Sequence, residues 1–163
     1  MTETTRIADQ LRRAFAGGAW HGPAVLKLLA AVDAATAAAH PIPNAHSIWE
    51  LVLHIAAWDG AVNRRIVGGK SLNLRSAQNF PPVKDKSPTA WREAVAQLKR
   101  AHQELLTTVS KMSDRRLHER VPGKNYNIYS MLHGVVQHEL YHAGQIALLK
   151  KARALRGTRK QAS

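Results

Sequence analysis

Residues 135–151 read VVQHELYHAGQIALLKK. Val135, Val136, Leu140, Ala143, Ile146 and Ala147 recur three and four positions apart, the spacing of one buried helix face. His138 and His142 are four apart and therefore share a side of that helix. From His138 the letters spell H-E-x-x-H, a pattern that sets two imidazoles on one cation and, in zinc peptidases, uses the glutamate as general base. Such a peptidase needs a third ligand, commonly a downstream Glu or a His six residues on. Leu148 occupies that position, and no acidic residue follows His142. The third donor must come from upstream, so the peptidase reading fails.

The upstream candidate is His54, set in the apolar run LVLHIAAW at 51–58. A ring buried there needs a polar partner, and leaving it without one costs about 1–3 kcal/mol. Taken alone, His54 reads as a core histidine bonded to a backbone carbonyl. Beside His138 and His142 it reads as the third of three neutral nitrogen donors, a set that leaves coordination positions for water and substrate. Glu139 is one step, about 100°, around the helix from His138. Three roles are open to it: a carboxylate orienting a ligand, a base for bound water, or a salt bridge. Gln145 shares the face of His138 as a candidate pocket group, and Trp58, four after His54, is a candidate for core or pocket. Asp59 and Tyr141 are weaker candidates. His133 reads as a rim or surface residue, and His46 as a loop residue, with the border of the pocket mouth as its alternative place. His21, His40, His102 and His118 read as loop or surface residues.

The rest of the chain is helical by the same periodicity. Ile7, Leu11 and Phe15 mark a helix over 4–16 that Gly17-Gly18 interrupts. Pro23 reopens it, and Val25, Leu28, Leu29 and Val32 carry the stripe onward until Pro41 and Pro43. Ser47 with Glu50 forms a capping box for a second helix, whose apolar face is Ile48, Leu51, Val52, Ile55, Val62 and Ile66. Gly68-Gly69 ends it. Then come about twenty residues without helical period, long enough to return along the bundle. Ser87-Pro88 opens a third helix with Trp91, Val95, Leu98, Leu105 and Val109 inward. The fourth helix spans about Ile128 to Leu155. No strand-like alternation competes, so the expected fold is a single all-α domain over 1–163, a four-helix bundle, with a basic tail from about residue 152.

Composition narrows the function classes. The chain has 163 residues, 45% of them hydrophobic and 21% charged, which suits one globular domain. No eighteen-residue apolar run and no secretory leader pattern occurs, and there is no cysteine. A cytoplasmic protein with no membrane role, no disulfide and no thiolate ligand is expected. Net charge is +13, but the basic residues are scattered as singles and pairs, without aromatic interleaving or a nucleic-acid motif. Acidic small molecules, rather than nucleic acid, are the expected partners.

Three stretches together resemble the DinB-like (DinB/YfiT) superfamily of metal-binding helical bundles: AWHGPAVLKLL at 19–29, PIPNAHSIWELVLHIAAWDGAVNRRIVGG at 41–69, and VPGKNYNIYSMLHGVVQHELYHAGQIALLKK at 121–151. The likeness runs from about Ile7 to Lys151 and is most specific in HIAAW and QHELYHAGQIALLKK. It implies an up-down-down-up four-helix bundle with the long crossover between helices two and three. It also implies a divalent metal, commonly nickel or zinc, on His54, His138 and His142, and a homodimer. The donor chemistry admits iron or cobalt as well. The functions implied are a hydrolase that activates water or a transferase that uses a low-molecular-weight thiol. The alternative is a metal-binding stress-response protein without turnover.

Overall fold

The computed structural model describes residues 1–68 and 73–161, with side chains as far as residue 156. Helix α1 spans Glu3–Ala16. Its start is held twice. Thr2 accepts from the Thr5 amide, and the Asp114 carboxylate accepts from the Glu3 and Thr4 amides at 2.9 Å each. Gly17 and Gly18 adopt positive φ, 145° and 83°, which ends the helix where the glycine pair predicts.

The segment after Pro23 departs from the single helix expected. It forms two short helices, α2 (Val25–Leu29) and α3 (Ala34–Ala38). The break has a local cause. Trp91 Nε1–H donates to the Val32 carbonyl at 2.7 Å, and the Asp33 side chain caps a new start by accepting from the Thr36 amide at 2.7 Å.

Helix α4 (Ile48–Gly68) begins on the expected box: Ser47 N–H donates to Glu50 Oε2 at 2.7 Å, and Glu50 N–H donates to Ser47 Oγ at 3.2 Å. It ends at Gly68; the second glycine of the stop, and the crossover as far as residue 72, lie outside the described residues. The remainder of the crossover is not wholly irregular, because Ser76–Asn79 forms a single-turn helix, α5. Helix α6 (Pro88–Lys111) has Ser87 as its cap, accepting from the Ala90 amide at 3.2 Å. A 3-10 turn at Asp114–His118 leads to α7 (Ile128–Gln161), which continues past the expected end near Leu155. No strand occurs among the described residues, and the fold is all-α.

The four long helices pack in a ring: α4 lies against α6 and α7, and α1 lies against α6 and α7. Their apolar faces form two clusters. One contains Phe15, Leu51, Ile55, Leu98, Ala143 and Ile146; the other contains Ile7, Leu11, Val62, Leu105, Leu132 and Val135. Along α4 and α6 the chain passes from the first cluster to the second, and along α1 and α7 it passes the other way. Between the clusters lie Asp59, His102 and Glu139, all buried. Substituting Ser87→Ala removes the α6 cap, and a loss of about 1 kcal/mol in urea-unfolding stability is expected, with helical content unchanged.

Candidate metal centre

Helix α4 carries His54 and α7 carries His138 and His142, and their ring nitrogens meet. His138 Nε2 is 2.9 Å from His54 Nε2 and 3.0 Å from His142 Nε2. The far sides of the outer two rings face oxygens. His54 Nδ1 is 2.7 Å from the Asn79 carbonyl, and His142 Nδ1 is 2.6 Å from Gln145 Oε1. A carbonyl oxygen only accepts, so each Nδ1 carries the proton and each Nε2 presents a lone pair. A proton on His138 Nε2 can serve only one of its two neighbours. At least one of these short contacts therefore sets lone pair against lone pair, an arrangement that a shared cation relieves. Nitrogens about 2.0–2.1 Å from one zinc-like ion stand roughly this far apart.

The electrostatics suit ligands. Burial, then the neighbouring His142 and His54, push the His138 ring down to about 3. Burial also lowers His54 and His142. All three are neutral at pH 7, as coordination requires.

The crossover finishes the site. Phe80 stacks on His54 at 4.0 Å, and His46 stacks on the other face of Phe80 at 3.8 Å. Asn79 takes the His54 proton on its backbone carbonyl and the Trp58 indole N–H on its side chain, at 2.8 Å. Sequence reading found neither Asn79 nor Phe80, because nothing in a stretch without period says which helix it will touch. Beside His138 opens a cavity of about 340 Å³, whose lining includes Trp58, Val62, Met131 and Val135 together with the polar Ser130 and Arg65, the Arg65 guanidinium 5.4 Å from the Trp58 ring centre. Trp58 thus borders both this cavity and the imidazoles. Gln145 lies elsewhere, beside a separate depression with His46 and Leu148.

Glu139 turns away from the three nitrogens. It is 0% exposed and accepts from His102 Nδ1 at 2.9 Å. Asp59 Oδ2 stands 3.4 Å from the same nitrogen. His102 is therefore not the surface residue its polarity suggests: it is 4% exposed and stacked on Phe15 at 3.8 Å. Its place between Leu98 and Leu105 on the apolar stripe of α6 was the signal that could have found it. Burial opposes the charged ring, but the nearby Asp59 carboxylate and the bond to Glu139 outweigh it and raise His102 to about 9. Burial raises Glu139 to about 7 and moves Asp59 upward as well. Of the remaining histidines, His21, His40, His46 and His118 are exposed, and His133 is half-buried against Tyr129. Tyr141 is exposed, its ring 5.1 Å from His142.

A family model for the DinB superfamily matches residues 10–146. The chain belongs to the DinB superfamily. No curated protein and no solved structure matches it. The matched span holds all three histidines of the centre and the whole of α4, α5 and α6, so the DinB region contains the site with its supports.

Replacing Gln145→Leu frees the His142 ring, and zinc affinity measured against a chromophoric chelator should fall about 10–100-fold. In the metal-free protein, His102 has a folded pKa above its unfolded value of 6.5, so its contribution is full below pH 6.5 and is lost as pH rises through about 9. Urea midpoints should therefore decline over that window, and His102→Gln should flatten the decline.

Proposed function

We propose that the chain is a metal-dependent enzyme in which His54, His138 and His142 hold a divalent ion, zinc or nickel foremost, and that its reaction transfers a low-molecular-weight thiol onto an electrophilic substrate. The observation that carries this reading is the convergence of three Nε2 atoms at 2.9 and 3.0 Å, with Glu139 engaged elsewhere. An ion held there supplies Lewis acidity, which favours the anionic form of a thiol or water and polarises a substrate oxygen.

The choice between thiol and water rests on what the surrounding side chains do. Hydrolysis gains from a positioned general base. Glu139, the obvious candidate by sequence, accepts from His102 in the core and does not hydrogen-bond the histidine set. A thiol, with an ordinary pKa near 8.5, needs less help to lose its proton. The three ligands are neutral, so the ion keeps its full charge and favours an anionic ligand. Asn79 and Gln145 hold the ligand rings in one tautomer, and the apolar side chains of Trp58, Val62, Met131 and Val135 offer an electrophile a surface beside His138.

The chain path belongs to the same proposal. The opposite passage of α1 and α7, relative to α4 and α6, between the two core clusters supports an up-down-down-up bundle. A single domain fits one core divided only by a polar layer. For the homodimer, the exposed Tyr141 and Leu148 on α7 offer an apolar contact.

Elemental analysis and turnover test this reading. Purified protein should carry metal, His54→Ala should lower its affinity sharply, and the exposed-histidine change His118→Ala should leave it unaltered. Equal metal affinity in the two variants would overturn the ligand assignment. A haloaromatic or epoxide should be consumed only when a thiol is supplied. Ester or amide cleavage without thiol would move the protein to the hydrolases, and bound metal with neither reaction would make it a binding protein.

A further inference from the structure

The polar layer of the core holds a second set of donors that the thiol-transfer reading does not use. Asp59 on α4, His102 on α6 and Glu139 on α7 each offer one ligand atom, and these atoms lie within 4.8 Å of one another. Asp59 and Glu139 are 0% exposed. Neither Asp59 oxygen has a hydrogen-bond partner, nor do Glu139 Oε2 and His102 Nε2. Buried carboxylate oxygens without partners are costly, far more so when the group is charged.

Charge points the same way. The layer sets two carboxylates against one imidazole, so a single imidazolium cannot balance both of them in their ionised forms. A divalent ion beside a neutral imidazole makes the sum zero. The spacing fits also. His102 Nδ1 is 2.9 Å from Glu139 Oε1 and 3.4 Å from Asp59 Oδ2. Ligand atoms about 2.0–2.2 Å from one ion, at angles between the octahedral and the tetrahedral, stand roughly 2.8–3.6 Å apart.

We propose that Asp59, His102 and Glu139 form a second divalent-cation site, separate from the three histidines and built of two carboxylates and one imidazole. On binding, the ion takes the place of the Nδ1 proton of His102, which leaves to solvent, and both carboxylates become ligands. The donor set suits a borderline or hard ion such as zinc or manganese. The three residues come from three helices, so the ion joins α4, α6 and α7 at one level. With the ligands buried, exchange requires the helices to part, and the ion leaves at the rate of that opening.

The test counts zinc per folded chain after saturation and dialysis, then follows its release to a chelator. The expected wild-type count is two, with one equivalent released readily and one on the time scale of unfolding. The double change His54→Ala/His142→Ala should leave only the slow equivalent. Asp59→Asn should leave only the fast one, and the near-isosteric Glu139→Gln gives the same reading should Asp59→Asn fail to fold. A wild-type count of one that falls to none in the double histidine variant would overturn the proposal and assign the orphan oxygens to buried water. A slow equivalent that survives in folded Asp59→Asn and Glu139→Gln would overturn it as well. Loss of the fast equivalent alone bears on the histidine centre, so the two proposals fail separately.

Discussion

The arrangement turns on one buried interaction, the hydrogen bond from His102 Nδ1 to Glu139 with Asp59 beside it. It is the polar level between two apolar clusters, and it joins three helices at fixed heights. Apolar packing tolerates a sliding register far better than a buried charged bond does. Moving α7 by one residue would turn Glu139 about 100° away and leave His102 facing hydrocarbon. The level of Asp59 on α4 and Glu139 on α7 thereby also sets the level of His54 against His138 and His142.

Adjacent residues on α7 consequently belong to different chemistry. His138 and Glu139 are neighbours in sequence, yet one points to the cluster of imidazoles and the other to the centre of the core. The spelling shared with zinc peptidases is thus put to a different use. There the glutamate serves the metal's water; here it is bound to an imidazole of a third helix. What the histidine centre receives instead is support from backbone and amide groups, the Asn79 carbonyl and Gln145 Oε1, which hold the donors without adding charge. An ion in such a set keeps its full charge, which favours anionic ligands.

The crossover between α4 and α6 contributes more than connection. Its short helix α5 places Asn79 against both His54 and Trp58, and Phe80 between His46 and His54. One segment therefore sets the orientation of the His54 ring and of the aromatic wall beside it. A four-residue helix has little stability of its own. Its place depends on these contacts, which ties the shape of the site to the docking of the loop.

Much of this was legible from local pattern. The Ser47–Glu50 box, the Ser87-Pro88 start, the Gly17-Gly18 break and the inward stripes of α4 and α7 arise from dihedral preference and helical period, which act over a few residues. The i,i+4 relation of His138 and His142 is equally local. The pairing of His54 with them, eighty-four positions away, rested on resemblance and on the need of a buried ring for a partner; only the packing of α4 on α7 brings the nitrogens together. His102 was misread because a histidine has no fixed preference for core or surface, and its burial depends on carboxylates supplied by two other helices. Asn79 and Phe80 carried no signal at all. Local chemistry by itself determined where helices begin, end and turn their apolar faces; which polar groups share an interior position was decided by tertiary structure, because that depends on the relative heights of separate helices, a quantity no single segment contains.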